Sequence, residues 1–426
     1  MDDSFIFQLN PEHHYVLDQL DSLKGCLFLT GRAGTGKSSL IQLFKKLNAK
    51  RVIYLAPTGV AAVQIKGQTI HSFFKFPPGW IRQSDYKILP KKFVEQIDLI
   101  FIDEISMVRA ELLDHIDQLL QLSIGNKKPF GGKAMLWCGD LFQLPPVVST
   151  SFEKDYFQNE YASPYFFSAK VFNQIESFEL IELNRIYRQS DPYFIKLLEK
   201  IRMNDLDSDE LEEINELCCN PKEETDVLQI HLCTTNASAN RINMERLQAL
   251  EDVPKIYKAK IKGQVQLNQY PGEEQLILKV GAQVVFTRND PTKRFVNGSL
   301  GVVLSLNENS IEIEMENKRI ELEAFTWEII KYKLSPGKNK DLETEVVGHF
   351  IQFPIKLAWA ITIHKSQGKT FEHIAIEMGS GAFEFGQAYV AFSRCKSLQG
   401  IQLKQKLRWQ DIRTDERIID FLRQHT

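Results

Sequence analysis

Short apolar runs alternate with amphipathic stretches along the first third of the chain. Residues 26–30, 52–56, 99–102 and 134–138 read as parallel strands buried on both faces, with helical segments between them. Residues 178–183, 227–235, 373–378 and 400–403 repeat the habit and predict a second α/β unit. Between about Tyr257 and Gln352 the helical period disappears. There Ile311, Ile313 and Met315 alternate with Glu312, Glu314 and Glu316, and beyond a polar turn at Asn317 the residues Ile320 and Leu322 alternate with Glu321 and Glu323. This is a hairpin, and the turn formers Asn297-Gly298 and Asn307-Glu308-Asn309 extend it to a small β-barrel inserted in the second unit. The expected division is 1–177 for the first unit, with a short wedge at about 65–80; 178–256 and 353–426 for the second; and 257–352 for the insert. No internal repeat or low-complexity tract is present.

Composition narrows the class without choosing a partner. The 426 residues are 43% hydrophobic and 25% charged, ordinary for a globular protein of two or three domains. A net charge of −3 gives no global positive field, so any nucleic-acid contact must come from a local groove. The six cysteines show no C-x-x-C spacing and sit mostly in apolar runs, which argues against structural zinc and disulfides. Met1-Asp2-Asp3 carries no basic stretch and no apolar run approaches bilayer length, so a reducing, soluble compartment and no membrane partner are expected.

The chemistry begins at Gly31-Arg32-Ala33-Gly34-Thr35-Gly36-Lys37-Ser38, a P-loop between the strand at 26–30 and a helix expected from Ser39. Its glycines let backbone N–H groups turn toward phosphate oxygens, Lys37 reaches the β and γ phosphates, and Ser38 holds magnesium. The strand at 99–102 then delivers Asp103 and Glu104 at its C-terminal edge, a Walker B pattern. In that reading Asp103 shares the magnesium and Glu104 takes a proton from, or orients, the attacking water; in the plainer reading both cap the helix near residues 106–120. The next strand ends at Gly139-Asp140-Leu141-Phe142-Gln143, where Gln143 suits a γ-phosphate sensor. Arg188, expected to follow a strand of the second unit, and Arg394, expected late on an apolar helix, are candidates for cations that stabilise the transferred phosphoryl group; simple surface exposure competes for both. Arg185 is the weaker neighbour.

A polymer-binding face is also legible. Thr58 follows the second strand and can cap a helix whose free N–H groups face a phosphate. His71, Ser72, Phe73, Phe74, Lys75 and Phe76 mix hydroxyl, cationic and aromatic groups suited to a stacked strand, though Phe73 and Phe74 read equally well as core. The stiff stretch from Phe76 to Trp80 is either a duplex-separating pin or a covered loop. Thr362, His364, Lys365 and Ser366 precede Gln367-Gly368-Lys369 in a turn able to face both strand and γ-phosphate. In the insert, Arg288, Asn289, Asp290, Lys293, Arg294 and Asn297 form either a tracking surface or a solvated loop.

These motifs carry a family resemblance over nearly the whole chain. With Ala56-Pro57-Thr58-Gly59-Val60-Ala61-Ala62, Asp103-Glu104-Ile105-Ser106-Met107-Val108, Pro129-Phe130-Gly131-Gly132, Tyr187-Arg188-Gln189 and residues 364–370 and 389–394, the sequence resembles helicases of the petite integration frequency family, superfamily 1B, related to RecD. The resemblance implies an α/β fold of two RecA-like P-loop domains with parallel sheets plus a small inserted SH3-like β-barrel. It implies an ATP- and Mg²⁺-dependent DNA helicase moving 5′ to 3′ on single-stranded DNA and acting on forks, G-quadruplexes and RNA–DNA hybrids. A free monomer and a bacterial or phage cytoplasm are expected. Carried over by position, Gly34, Thr35, Gly36, Lys37, Ser38, Ser39, Asp103, Gln143, Gly368 and Arg394 meet the nucleotide and its metal, with Lys37, Glu104, Gln143, Arg188 and Arg394 catalytic. Thr58, Gly59, His71, Ser72, Phe73, Phe76, Arg294, His364, Lys365 and Ser366 meet DNA. The family's adenine-reading glutamine is replaced by His13, with Gln19 as a substitute. An RNA helicase and a nucleotide-controlled switch are the rival readings.

Overall fold

The computed structural model describes residues 9–77, 79–148, 150–219, 228–316, 318–335, 341–379 and 381–425. Met1-Asp2-Asp3, Pro78 of the wedge and Val227 lie outside the described residues. Six strands make the first sheet: β1 (Cys26–Gly31), β2 (Val52–Ala56), β3 (Gln68–Thr69), β4 (Leu99–Ile102), β5 (Ala134–Cys138) and β6 (Phe178–Leu183), in the order β3-β2-β4-β5-β1-β6 and all parallel. β1, β2, β4 and β5 are buried along their whole length, as helices on both faces require of continuous apolar runs. Their C-terminal ends open on one edge, where a sheet of this kind places its ligand.

One strand sits in a different sheet from the one expected. Residues 178–183 form β6, but they pair with β1 from Cys26↔Phe178 to Gly31↔Leu183 and so belong to the first unit. The strand is only half-buried, and Glu179 and Glu182 interrupt its apolar run, as suits an outer strand of a sheet. Arg188 therefore leaves the first sheet, not the second.

The second sheet starts with β7 (Ile230–Cys233), and the insert follows: β8 (Lys255–Lys258), β9 (Lys260–Gly263), β10 (Gln275–Leu278), β11 (Gln283–Phe286), β12 (Leu300–Leu306), β13 (Ser310–Met315), β14 (Lys318–Glu323), β15 (Phe325–Leu334), β16 (Leu342–Gln352) and β17 (Ile355–Leu357). Its strands form antiparallel sheets β14-β13-β12-β11-β17, β15-β16-β9 and β10-β8 around a separate core that includes Leu276, Val284, Phe286, Val303, Ile311, Ile313, Ile320 and Leu322. The alternating hairpin is β13–β14, with Ile311↔Leu322 and Ile313↔Ile320 facing inward. β17 pairs with β11, so the insert runs a few residues past Gln352. β18 (Ala360–Thr362), β19 (Ile374–Glu377) and β20 (Ile401–Leu403) then complete the second parallel sheet, β18-β7-β19-β20.

The units touch away from the sheet edges as well as across them. The C-terminal helix Glu416–His425 packs Phe421 on Phe167 of the first unit, ring centroids 4.3 Å apart, within an apolar core shared by both α/β units. The β15–β16 hairpin lies against the first unit, where the Tyr54 N–H donates to Tyr332 Oη at 3.0 Å. Among the described residues no helix is long and apolar enough to cross a membrane.

Candidate active site and strand interface

The P-loop turns from β1 into the helix Lys37–Leu47, two residues earlier than sequence alone suggested. Gly36 sits at the helix N-cap with φ 86°, a conformation glycine adopts without strain. Gly34 is needed for a second reason: a Cβ there would lie 2.5 Å from Arg188 Cβ, because the 187–188 segment rests directly on the loop and the Tyr187 N–H donates to Gly34 O at 2.8 Å. Lys37 Nζ donates to the carbonyls of Gly31 (2.6 Å) and Arg32 (3.0 Å), so its ammonium is curled over the phosphate cradle.

β4 delivers Asp103 and Glu104 beside that cradle. Glu104 is held at φ 48° and ψ 46°, a left-handed backbone that costs a non-glycine residue roughly 1–3 kcal/mol and is typical of functional positions. Its side chain makes no capping hydrogen bond, and the following α-helix begins only at Ala110 with Arg109 at its N-cap. Glu104 therefore does not act as a side-chain cap. Burial, with Glu104 adding, pushes the Asp103 carboxyl up to about 7, while Lys37 pulls it back. Burial likewise raises Glu104, against the attraction of Lys37 and Arg394.

β5 ends in the third element. Asp140 is buried and accepts from the Phe142 N–H (3.2 Å), Gln143 Nε2 (3.1 Å) and Tyr389 Oη (3.2 Å). Gln367 Nε2 of the second unit donates to Gln143 Oε1 at 3.4 Å, so the expected sensor already bridges the two units.

Arg394 closes the crevice from the second unit. It stands two residues beyond the helix Gln387–Phe392, not within it, and is 1% exposed. Its guanidinium donates to Val390 O (3.0 Å), Ser366 O (3.4 Å) and Ser393 Oγ (2.8 Å), and among the described residues no carboxylate lies within ion-pair distance of it. Burial, with Arg188 adding, lowers its pKa to about 9, and Tyr389, Glu104 and Asp140 oppose the shift. Arg188 Nη1 donates to Ser393 O at 3.0 Å, and burial lowers its pKa too. Surface exposure is thereby excluded for Arg394.

Two residues given no role from sequence belong here. Tyr389 Oη accepts the Ala33 N–H of the P-loop at 3.0 Å while donating to Asp140. Arg202 is 4% exposed and lies 4.0 Å from the Phe142 ring centroid, with Glu182 at 3.2 Å, Glu199 at 3.4 Å and Asp140 at 3.9 Å. The available signal was helical phase: Arg202 follows Leu198 by one turn on the buried face of the helix Pro192–Met203.

The polymer side is mixed. Thr58 caps the short helix Gly59–Gln64 by accepting the Ala61 N–H at 3.3 Å, with Gly59 at its first position. His71 and Ser72 are half-buried, and Gln269 Nε2 of the insert donates to Ser72 Oγ at 3.1 Å. Phe73 and Phe76 do not present stacking faces. Phe76 stacks on Phe74 at 5.5 Å and Phe73 packs against Phe74, Phe93 and Tyr332, because a short amphipathic turn beside the sheet edge buries aromatic rings before it exposes them. Half-buried Trp80 packs on Tyr156 at 4.5 Å and Phe152 at 5.2 Å, so its ring is held against the first unit and does not stand free as a pin would. Ser366 is fully buried and its hydroxyl donates to Ile363 O at 2.6 Å, so it too is corrected from a strand contact to an internal one. Lys365 is exposed, His364 pairs with Glu384 at 3.0 Å, and Gly368 is exposed at φ 73°. Arg294 is exposed but chelates Asp290 at 2.9 and 3.0 Å, which holds that carboxyl far below the usual range. At the far end, the Asn10 N–H donates to His13 Nδ1 at 3.2 Å and the His13 ring stacks on Tyr187 at 6.1 Å, while Gln19 is half-buried on the same helix.

A phosphate cradle, an acidic pair whose glutamate sits in left-handed backbone and a buried arginine from the facing unit, converging on one crevice, define a nucleoside-triphosphate motor of two α/β units. Residues 8–212 match the family model described as PIF1-like helicase. The ATP-dependent DNA helicase Pif1 of Bdellovibrio bacteriovorus is 32% identical over 432 aligned positions, covering 98% of this chain and 92% of that one. The crystal structure of Bacteroides sp. Pif1 in complex with ADP-AlF4 superposes with a TM-score of 0.88 at 36% identity, covering 98% of this chain and 97% of that one. Bacteroides Pif1 bound to ssDNA superposes at 0.70 with 37% identity, covering 98% and 96%. The chain belongs to the PIF1-like helicase family, and its enzyme class is that of the ATP-dependent DNA helicases. It spans 61% of the length of the Xenopus laevis relative, which is longer.

Proposed function

We propose that this protein is an ATP- and Mg²⁺-dependent helicase that moves 5′ to 3′ along single-stranded DNA and opens duplex, fork, G-quadruplex and RNA–DNA hybrid structures, acting from a free monomer. The observation that carries the motor reading is Arg394, a buried cation without a carboxylate partner among the described residues, presented by one unit to the phosphate cradle of the other. A guanidinium so placed is stabilised when an anionic γ-phosphate fills the crevice. Polarity rests on kinship.

In this mechanism Lys37 exchanges the Gly31 and Arg32 carbonyls for β and γ phosphates, and Glu104 accepts a proton from the attacking water. Gln143 orients that water and the γ-phosphate. Arg394 and Arg188 gain an anionic partner only while the triphosphate is whole, so the units close on ATP and relax after hydrolysis. Charge-assisted hydrogen bonds are worth about 1.5–3 kcal/mol each, and unstacking a base-pair step takes about 1.4 kcal/mol on average. Two or three conditional contacts thus suffice for a one-nucleotide step.

Ser38 and Asp103 are hard oxygen donors and fit magnesium shared with the phosphates. The ion, when bound, would neutralise charge developing on the transferred group. With the Asp103 carboxyl at about 7 in the metal-free protein, holding the ion requires release of a proton. The magnesium concentration giving half-maximal turnover is therefore expected to fall as pH rises from about 6 to about 8, and Asp103→Asn to lose that dependence.

Strand displacement on matched 5′-tailed and 3′-tailed duplexes with ATP tests the reading as a whole. Unwinding of the 5′-tailed substrate alone is expected. Unwinding from the 3′ tail reverses the polarity, and no unwinding of either despite hydrolysis leaves a nucleotide switch.

A further inference from the structure

The helix Gln387–Phe392 of the second unit meets the first unit at its N-terminal end. Its N-cap, Gly386, has φ 73°, and a Cβ there would lie 2.4 Å from Phe142 O and 2.5 Å from Gln143 O. This close approach brings Tyr389, itself buried, to a point where its hydroxyl bridges two elements of the first unit. It accepts the Ala33 N–H of the P-loop at 3.0 Å and donates to Asp140 Oδ2 at 3.2 Å. Asp140 Oδ2 also accepts from Gln143 Nε2 at 3.1 Å, and Gln143 Oε1 accepts from Gln367 Nε2 of the second unit at 3.4 Å. A continuous line of hydrogen bonds therefore runs from the phosphate cradle at Ala33 through Tyr389, Asp140 and Gln143 to Gln367, and passes between the units on either side of Tyr389 and again at Gln367. Burial, with Asp140 adding, raises the Tyr389 phenol above its ordinary range against Arg202 and Arg394, so the hydroxyl keeps its proton.

We propose that Tyr389 is a positioning residue whose hydroxyl reports the filling of the phosphate cradle to Gln143 and, through Gln367, to the second unit. A backbone N–H has one proton to donate, and an anionic phosphate oxygen is a stronger acceptor than a phenol. A triphosphate in the cradle therefore competes with Tyr389 for the Ala33 N–H. The hydroxyl then rests on Asp140 alone, beside the side chain that orients Gln143. Because every member of the line is buried or half-buried, a partner given up at one point is not replaced by bulk water and must be sought along the line. The line thus has one arrangement for the empty cradle and another for the filled one. That is the property a coupling element needs, since both nucleotide and relative placement of the units bias it. The inference rests on the motor reading above and assigns its coupling to a particular hydroxyl.

Two reciprocal titrations of the full chain test it: labelled oligo-dT with and without ADP and aluminium fluoride, and a fluorescent ADP with aluminium fluoride with and without oligo-dT. Linkage requires the same coupling factor in both directions, and for the wild type about tenfold is expected, inside the roughly 5–150-fold range of such couplings. Tyr389→Phe removes one oxygen and is expected to bring the factor below about twofold in both directions, while each ligand alone binds within about threefold of wild type. Gln367→Leu cuts the same line at its other end and should lose the factor as well. The double variant should lose no more than either single one, because both interrupt one line. Retention of the wild-type factor by Tyr389→Phe overturns the relay, and so does an additive loss in the double variant. Weaker binding of nucleotide alone with the factor unchanged overturns it too, since the hydroxyl then serves only to pack the cradle. If Tyr389→Phe does not melt cooperatively, Gln367→Leu decides alone, loss of the factor supporting the relay and retention overturning it. A wild-type chain that binds both ligands without any coupling would instead refute the motor reading itself.

Discussion

Glu104→Gln is expected to bind nucleotide as tightly as the wild type and to hydrolyse it on the order of 10²–10⁴ times more slowly, the range a positioned general base contributes. The expectation comes from how the residue is held. A left-handed backbone at a glutamate persists only where surrounding structure compels it, and here no capping bond explains it. The twist follows directly on β4, where the carboxylate enters a buried space shared electrostatically with Lys37, Arg394 and Asp140. Glutamine keeps the shape and loses the proton acceptor. Because burial raises the Glu104 pKa, the wild-type rate should climb with pH on its acid side as the carboxylate forms; that limb should vanish from the residual activity of the variant. Steady-state hydrolysis with single-stranded DNA and titration of a fluorescent nucleotide provide the two readouts. Undiminished turnover by Glu104→Gln assigns the base elsewhere.

What the sequence made legible was burial and spacing; what it concealed was partnership. The P-loop, the acid pair after β4 and the β13–β14 hairpin were readable because glycine positions, a four-residue apolar run and strict alternation each encode local geometry. β6 has the boundaries its residues suggest, yet periodicity carries no information on which strand lies alongside, so its pairing with β1 came only from the fold. Phe73 and Phe76 show the same limit for side chains: an aromatic ring suits a stacked base and a core equally, and the packing of Phe93, Tyr332 and Tyr86 around them decided for the core. Arg202 and Lys369 are charged residues whose burial depends on elements distant in sequence, the 140–143 loop for one and the 289–298 loop for the other.

Arg394→Ala is expected to lower DNA-stimulated turnover on the order of 10³-fold or more, within the range measured when an arginine that neutralises a transferred phosphoryl group is supplied or withheld. The native arginine is fully enclosed and, among the described residues, is satisfied by two carbonyls and a hydroxyl, with Arg188 nearby as a like charge. Such a site is unfavourable for a cation until an anion arrives, so removing the guanidinium should change the thermal midpoint of the nucleotide-free protein little, the lost packing offset by relief of an uncompensated charge. The decisive contrast appears on adding ADP with aluminium fluoride. The wild type should gain several degrees from a ligand that draws Arg394 and Arg188 onto the phosphoryl mimic, and Arg394→Ala should gain little more than with ADP alone. Arg394→Lys, keeping the charge without the planar fork, should restore part of the midpoint shift and little of the rate. Equal stabilisation of wild type and Arg394→Ala by the mimic would detach this residue from the shared crevice, and with it the coupling of hydrolysis to relative movement of the two units.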